Sequence, residues 1–400
     1  MHKPVDFSPK ALAEWYAGEL LGRVLPFWMA HSPDLEWGGY FSCLDQQGKV
    51  YDTDKFVWLQ ARQVWTFSML YNRLDARKEW LQMARLGADF LRSHAMDAQG
   101  DFYFALDRQG RPLVQPYNIF ANCFAALAFH EYALASGEEG YLSLARQTFN
   151  RIWARKDHPK GPYEKSTGQR PLKGFALPMI LANLMLEMGD LLPAQQTRSV
   201  VAHCIREVME VFYDADSGLI HEYVLPNGQW PDTFKGRLIN PGHGIEALWF
   251  IMDLAWTQND QQLLRLAVQR SLDLLRYGWD PTYGGIFYFL DAKGAPPEQL
   301  EWDQKLWWVH LETLVALAKA YRYTRRPEVW AAYQQVHLYT WQHFPDAQDG
   351  EWWGYLNRRG EVLLPLKGGK WKGCYHLPRA LFECWKVFEA LARESSTRPA

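Results

Sequence analysis

His243 lies in the run RLINPGHGIEALW and His376 in GGKWKGCYHLPRA. In each run a neighbouring proline marks the start of an apolar helix. An unperturbed imidazole has a pKa of about 6.5, so two of them at one cavity can give and take protons at neutral pH. Glu246 follows His243 by three residues and shares its helical face, where it orients the imidazole, raises its basicity, or is simply a solvated carboxylate. Arg62 falls among Trp58, Leu59 and Trp65, which suits a buried structural ion pair or a guanidinium that binds developing negative charge. Glu246 and Glu312 offer another chemistry. Two carboxylates roughly 6.5–9.5 Å apart would serve an inverting glycoside hydrolase. His-x-x-Glu with a distant histidine lacks HExxH-type spacing, so no metal is expected. The stretch KGGKWKG lacks both the spacing and the hydroxyl residue of a nucleotide-hydrolysing loop, and no GxGxxG follows a strand.

These residues acquire a common frame from an internal repeat. A Gly-led segment recurs six times, beginning at Gly38, Gly100, Gly161, Gly218, Gly284 and Gly350, at roughly 57 to 66 residue intervals. Alternating aromatic or β-branched residues follow, then a turn ending at Gly48, Gly110, Gly168, Gly228, Gly294 or Gly360. That pattern predicts a short β-hairpin in each unit, because glycine accepts the positive φ of the turn. The third copy, GPYEKSTGQRP, is shorter and more polar than the rest.

Helical periodicity flanks every hairpin. EWLQMARLGADFL spaces Trp80, Met83, Ala84, Gly87, Phe90 and Leu91 onto one face, as expected of an outer helix. The segments after the hairpins, such as NIFANCFAALAF and HGIEALWFIMDLA, are apolar all round and predict an inner ring. Six units of two helices give an all-α fold, an (α/α)6 barrel with the hairpins at one mouth. The ends are no more polar than the middle, which favours closure over an open solenoid. A single domain over residues 1–393 and a flexible tail over 394–400, ending ESSTRPA, complete the reading.

Comparison of positions about 22 to 28 residues after each leading glycine picks out what the inner helices carry at the mouth. The units supply Arg62, then Asn118 with Asn122, then Lys173 somewhat earlier, then His243 with Glu246, Trp308 with Glu312, and His376. Polar groups on apolar helices need partners or a wet cavity. The candidate substrate-binding set is Trp58, Asn118, Asn122, Lys173, Asn183, Trp308, Glu312 and Lys372. Glu312 either bonds a sugar hydroxyl or supports a histidine. His203 and His337 fall in outer-helix patterns and read as structural.

Composition narrows the function class. The net charge of −2 gives no electrostatic reason to expect nucleic acid or a membrane surface. Five scattered cysteines without a CxxC pair suit a reducing compartment. The N-terminal run mixes charge into every turn and lacks a signal-peptide core, so a cytoplasmic location is expected. Trp, Tyr and Phe make up 15% of residues, which suits either a helix-packed core or a pocket that stacks on sugar rings, and composition does not separate the two.

At DTDKFVWLQARQVW, QPYNIFANCFA, GRLINPGHGIEALWF, LEWDQKLWWVHLE and KGGKWKGCYHLPRA the sequence resembles the N-acylglucosamine 2-epimerase family, within a superfamily that includes cellobiose 2-epimerases and mannose isomerases. The resemblance runs through essentially the whole chain. It implies the (α/α)6 barrel, interconversion of N-acetylglucosamine and N-acetylmannosamine, usually a homodimer, and ATP as an allosteric activator rather than a required cofactor. It maps a catalytic pair onto His243 and His376, with Arg62 and Glu246 beside them. Cellobiose epimerases carry a further histidine on the third inner helix; KGFALPMILANLM has none, which favours the amino-sugar branch. Epimerisation or isomerisation of another free sugar, glycoside hydrolysis and a non-catalytic protein-binding role are the alternatives.

Overall fold

A computed structural model describes residues 5–396. Among these residues the outer helices are α1 (Pro9–Glu19) with α2 (Leu25–His31), α4 (Lys78–His94), α6 (Glu139–Ala154), α8 (Ala194–Arg206), α10 (Gln261–Gly278) and α12 (Pro327–His343). They alternate with the inner helices α3 (Val57–Arg73), α5 (Ile119–Ser136), α7 (Ala176–Met188), α9 (Pro241–Thr257), α11 (Trp307–Thr324) and α13 (His376–Ser396). A π turn, Leu20–Val24, joins α1 and α2 into one outer element. The (α/α)6 barrel expected from the repeat is therefore the architecture observed.

The division into rings follows from which faces are apolar. α4 buries Trp80, Met83, Ala84, Gly87, Phe90 and Leu91 and exposes its opposite side. α5 and α9 are buried nearly all round because each inner helix has neighbours on both flanks and an outer helix behind it. Caps fix where the helices begin. The Asn118 side chain accepts from the Phe120 N–H at α5, and Asn240 accepts from the His243 N–H where Pro241 opens α9.

Each inner helix packs antiparallel on the outer helix that follows it, from α3 on α4 to α11 on α12. Among the described residues no outer helix follows the last inner helix. The first outer helix takes that place, with α1 against α13 and the Tyr16 hydroxyl 2.7 Å from that of Tyr333 on α12. The ends also meet at the mouth, where the N–H groups of Lys367 and Gly368 donate to the Leu44 carbonyl. The ring is thus closed by contacts between its first and last units.

The six turn glycines all have positive φ, between +74° and +88°, as the turns require. The hairpins do more than cap their own units. Lys55–Phe56 pairs with Ala105–Leu106 of the next unit, Lys173–Gly174 with Tyr223–Val224, Leu238–Ile239 with Leu290–Asp291, and Lys305–Leu306 with Tyr355–Leu356. Neighbouring units are stitched together at the mouth. A buried lysine–aspartate pair recurs beneath these loops: Lys55 with Asp34, Lys305 with Asp280 and Lys367 with Asp346.

Two expectations change. The third unit forms no hairpin; Gly161–Tyr163 is a 3-10 turn followed by an exposed stretch to Pro171. Its polar residues and two prolines leave no apolar face and too few N–H donors for a ladder. The tail expected from residue 394 is helical as far as Ser396, with Glu394 paired to Arg322 and Arg325; residues 397–400 lie outside the described residues. The five cysteines are buried and free, and no described helix is long and apolar enough to cross a membrane.

Candidate active site

A cavity of about 520 Å³ opens at the hairpin end of the inner ring. His243 and Glu246 of α9, Arg62 and Trp58 of α3, Trp307 and Trp308 of α11, His376 of α13 and Asn118 at the α5 cap all line it. The repeat register therefore brings the four candidate catalytic residues to one chamber.

Each histidine is held through Nδ1 by a carboxylate. His376 Nδ1 lies 2.7 Å from Glu312 Oε1, and His243 Nδ1 lies 3.0 and 3.1 Å from the two oxygens of Glu222. An ionised carboxylate only accepts, so Nδ1–H is the donor in both pairs. That fixes Nε2 as the ring nitrogen left for chemistry. The Trp308 indole stands between the two rings, with centroids 5.1 Å from His243 and 5.8 Å from His376. Gly242 makes this packing feasible, since a Cβ there would come within 2.9 Å of the Trp308 ring and of Val309.

The carboxylate beneath His376 belongs to a buried network. Arg379 donates through Nη2 to Glu312 at 2.7 Å and to Glu246, and through Nη1 to the Tyr375 hydroxyl at 3.0 Å. Trp249 Nε1 donates to the other Glu312 oxygen at 3.0 Å. Burial pushes the Glu312 carboxyl up, but Arg379 and His376 outweigh it and hold it well below its ordinary value. Burial and the neighbouring Glu312 charge push Glu246 the other way, above the usual carboxylate range.

The same physics separates the histidines. Burial, with the charges of Arg62 and Arg379, takes His376 down to about 3 despite its bond to Glu312. At neutral pH it is an uncharged imidazole with a free Nε2 lone pair. Burial also opposes charge on His243, but Glu222 and then Glu246 prevail and raise it. Arg62 lies with its guanidinium carbon 4.3 Å from the Trp58 ring, 4.0 Å from Phe124 and 4.7 Å from Tyr375. Burial lowers it to about 10, so it stays charged at neutral pH, and its Nε has no protein partner. A cation held on aromatic faces, without a carboxylate of its own, is well suited to stabilising an oxyanion.

Several sequence-based placements need correction. Glu246 does not orient His243, which Glu222 does; it shares Arg379 with Glu312, and its charge raises the basicity of His243 as the other sequence expectation had it. Glu312 is fully buried behind His376 and does not line the cavity, so it supports the histidine rather than the substrate. Asn122 is committed to Asp101 and the Phe102 N–H, at 3.0 and 3.2 Å. Lys173 pairs with Glu207, and Lys372 is buried on Glu351 and the Lys367 carbonyl. Asn183 is buried on α7 outside the cavity lining. His337 is a core residue against Tyr16 and Tyr333, as expected, and His203 packs edge-on to Trp153.

Two functional residues escaped the sequence reading. Arg379 is a charged residue on an apolar inner helix, the same signal that singled out Arg62. Glu222 comes from the fourth hairpin segment, GLIHEYV, and its reach to His243 depends on tertiary packing alone. Glu246, Glu312 and His376 also place three potential metal-ligand atoms within 4.8 Å of one another. The Arg379 guanidinium already bonds both carboxylates and supplies the cation that such a cluster needs. Sharing one guanidinium also removes Glu246 and Glu312 from the arrangement a hydrolase requires, with substrate between the two acids.

A family model described as N-acylglucosamine 2-epimerase (GlcNAc 2-epimerase) matches residues 39–380. The chain belongs to this family. It is 37% identical to the N-acylglucosamine 2-epimerase of Mus musculus over 390 residues, covering 95% of this chain and 92% of the mouse protein. The Homo sapiens enzyme of that name is also 37% identical, covering 96% and 91%. The solved structure of cellobiose 2-epimerase from Spirochaeta thermophila superposes with a TM-score of 0.81 at 22% identity, covering 96% and 98%. That likeness concerns the fold, and it agrees with the closed barrel described above.

Proposed function

We propose that this protein interconverts N-acetyl-D-glucosamine and N-acetyl-D-mannosamine. The observation that carries the reading is a pair of imidazoles, each anchored through Nδ1 to a carboxylate, lining one cavity with the charged Arg62. The hydrogen at carbon 2 becomes acidic when the sugar ring opens and carbon 1 is an aldehyde. His376, neutral at physiological pH, takes that proton from one face. The electron pair moves into the C1–C2 bond, and the carbonyl oxygen becomes an enolate oxygen beside Arg62. His243, whose pKa is raised, returns a proton to carbon 2 from the opposite face. The reverse reaction uses the same groups with exchanged roles, so both protonation states are visited during a cycle.

The N-acylglucosamine 2-epimerases of mouse and human, at 37% identity over nearly the full chain, support this substrate. Substrate and product differ at one stereocentre, so the reaction needs no energy source. ATP therefore enters the reading as an activator that is not consumed, and a cytoplasmic homodimer completes it. The activator and the homodimer rest on the family resemblance, and the location on the charged N-terminal run and the scattered cysteines. The test is to incubate the purified protein with N-acetylmannosamine, with and without ATP, and identify the sugar formed. N-acetylglucosamine is expected in both arms, faster with ATP and without phosphate release; no new sugar in either arm would refute the reading.

A further inference from the structure

The inner helices contribute unequally to the cavity wall. α3, α9 and α13 bring charge and acid/base groups, and α11 brings two indoles. Among the described residues, α7 brings only apolar side chains, Ala176, Met179 and Ile180. α5 packs against it and adds Ala121 and Phe124, so the apolar patch is continuous. A plain sugar has little use for such a wall, because a hydroxyl pressed on it loses its hydrogen bonds to water. An acyl methyl gains by the same contact.

From this patch, and resting on the epimerase reading above, we infer that Met179 and Ile180 form the subsite for the acyl group on the carbon 2 nitrogen. Carbon 2 must lie where both histidines reach it. In the enolate, carbon 1, its oxygen, carbon 3 and the nitrogen share one plane with carbon 2, with the histidines on its two faces. Trp308 closes the side of that plane between the two histidine rings. The enolate oxygen turns to Arg62 on α3. The acylated nitrogen then takes the sector spanned by α5 and α7, which ends at α9 and His243. The nitrogen moves little while the hydrogen changes faces, so an anchored acyl group acts as the pivot of the inversion. Met179 suits the role, because an unbranched thioether adapts to both epimers.

The test measures kcat/KM for N-formyl-, N-acetyl- and N-butanoyl-mannosamine and for mannose, with the wild-type chain, Met179→Ala and Ile180→Ala. Thermal unfolding confirms that each variant folds. The wild type is expected to prefer N-acetylmannosamine over mannose, and the enlarged subsite to shift the butanoyl-to-acetyl ratio upward by roughly tenfold. An unchanged acyl ranking in both folded variants, with the wild type active, overturns the subsite and leaves the epimerase reading standing. If the wild type epimerises none of these sugars, the epimerase reading falls and the subsite with it.

Discussion

His376 and His243 face the same cavity from opposite kinds of surroundings. His376 rests on a fully buried carboxylate that is itself fixed by Arg379, and its side chain is 10% exposed. His243 rests on Glu222, carried by a hairpin segment at the rim, and its side chain is 26% exposed. Two buried cations lie near His376, whereas carboxylates dominate the field at His243. Burial and these cations therefore hold the first imidazole neutral, while the second keeps its proton to higher pH than a free imidazole, although both are bound to a carboxylate in the same way. The comparison teaches that the same kind of partner does not give the same imidazole: at His376 burial and two cations overcome Glu312, whereas at His243 Glu222, aided by Glu246, overcomes burial.

The largest effects should come from removing the histidines. His376→Asn and His243→Asn should each lower kcat by on the order of 10⁴-fold. In His243→Asn, His376 can still remove and return a proton on one face. That variant should exchange the carbon 2 hydrogen of one epimer with solvent without inverting it, as read by NMR in deuterium oxide. Loss of this exchange would show that the two histidines do not act on separate faces.

Arg379 is the next target because it defines the buried side of the comparison. Arg379→Ala leaves Glu246 and Glu312 without their shared cation and should destabilise the fold by roughly 3–5 kcal/mol, read by denaturant unfolding. Arg62→Met should reduce kcat by about 10²–10³-fold with a smaller effect on KM, as for other oxyanion donors. A change confined to KM would assign Arg62 to ground-state binding instead.

The exposed side is sharpened by a pH profile. His243 has a raised pKa, so its acid form persists above pH 6.5 and is lost as pH rises through the folded value. Glu222→Gln removes the main cause of that rise. The alkaline limb of kcat/KM, in the direction that uses His243 as acid, should move to lower pH. The acid limb should not come from His376, which stays neutral down to about pH 3. The smallest effect is expected outside the cavity. Lys173→Met should leave kcat and KM within about twofold, since its partner is Glu207.

Much of this molecule was legible in the sequence because its signals are periodic. The leading and turn glycines announce positive φ, and the apolar runs after them announce an inner ring. The register then places Arg62, His243, Glu246 and His376 at equivalent heights around one cavity. What it misses is lateral. A helix position says which end of the barrel a side chain occupies but not which neighbour claims it. Asn122, Lys173 and Lys372 have the right height and are taken by Asp101, Glu207 and Glu351. Glu312 has the right height too, but is satisfied wholly from behind by Trp249, His376 and Arg379. The pairing of hairpins between units and the closure of α13 by α1 are likewise contacts between distant segments, invisible to a one-dimensional pattern.

Proton exchange at carbon 2 by two histidines on opposite faces is most directly measured by running N-acetylmannosamine to partial conversion in deuterium oxide. N-acetylglucosamine carrying solvent deuterium at carbon 2 is predicted, with no label elsewhere in the carbon skeleton and no incorporation by the His243→Asn/His376→Asn double variant. Product that retains all its original hydrogen, or labelling that survives in the double variant, would contradict it.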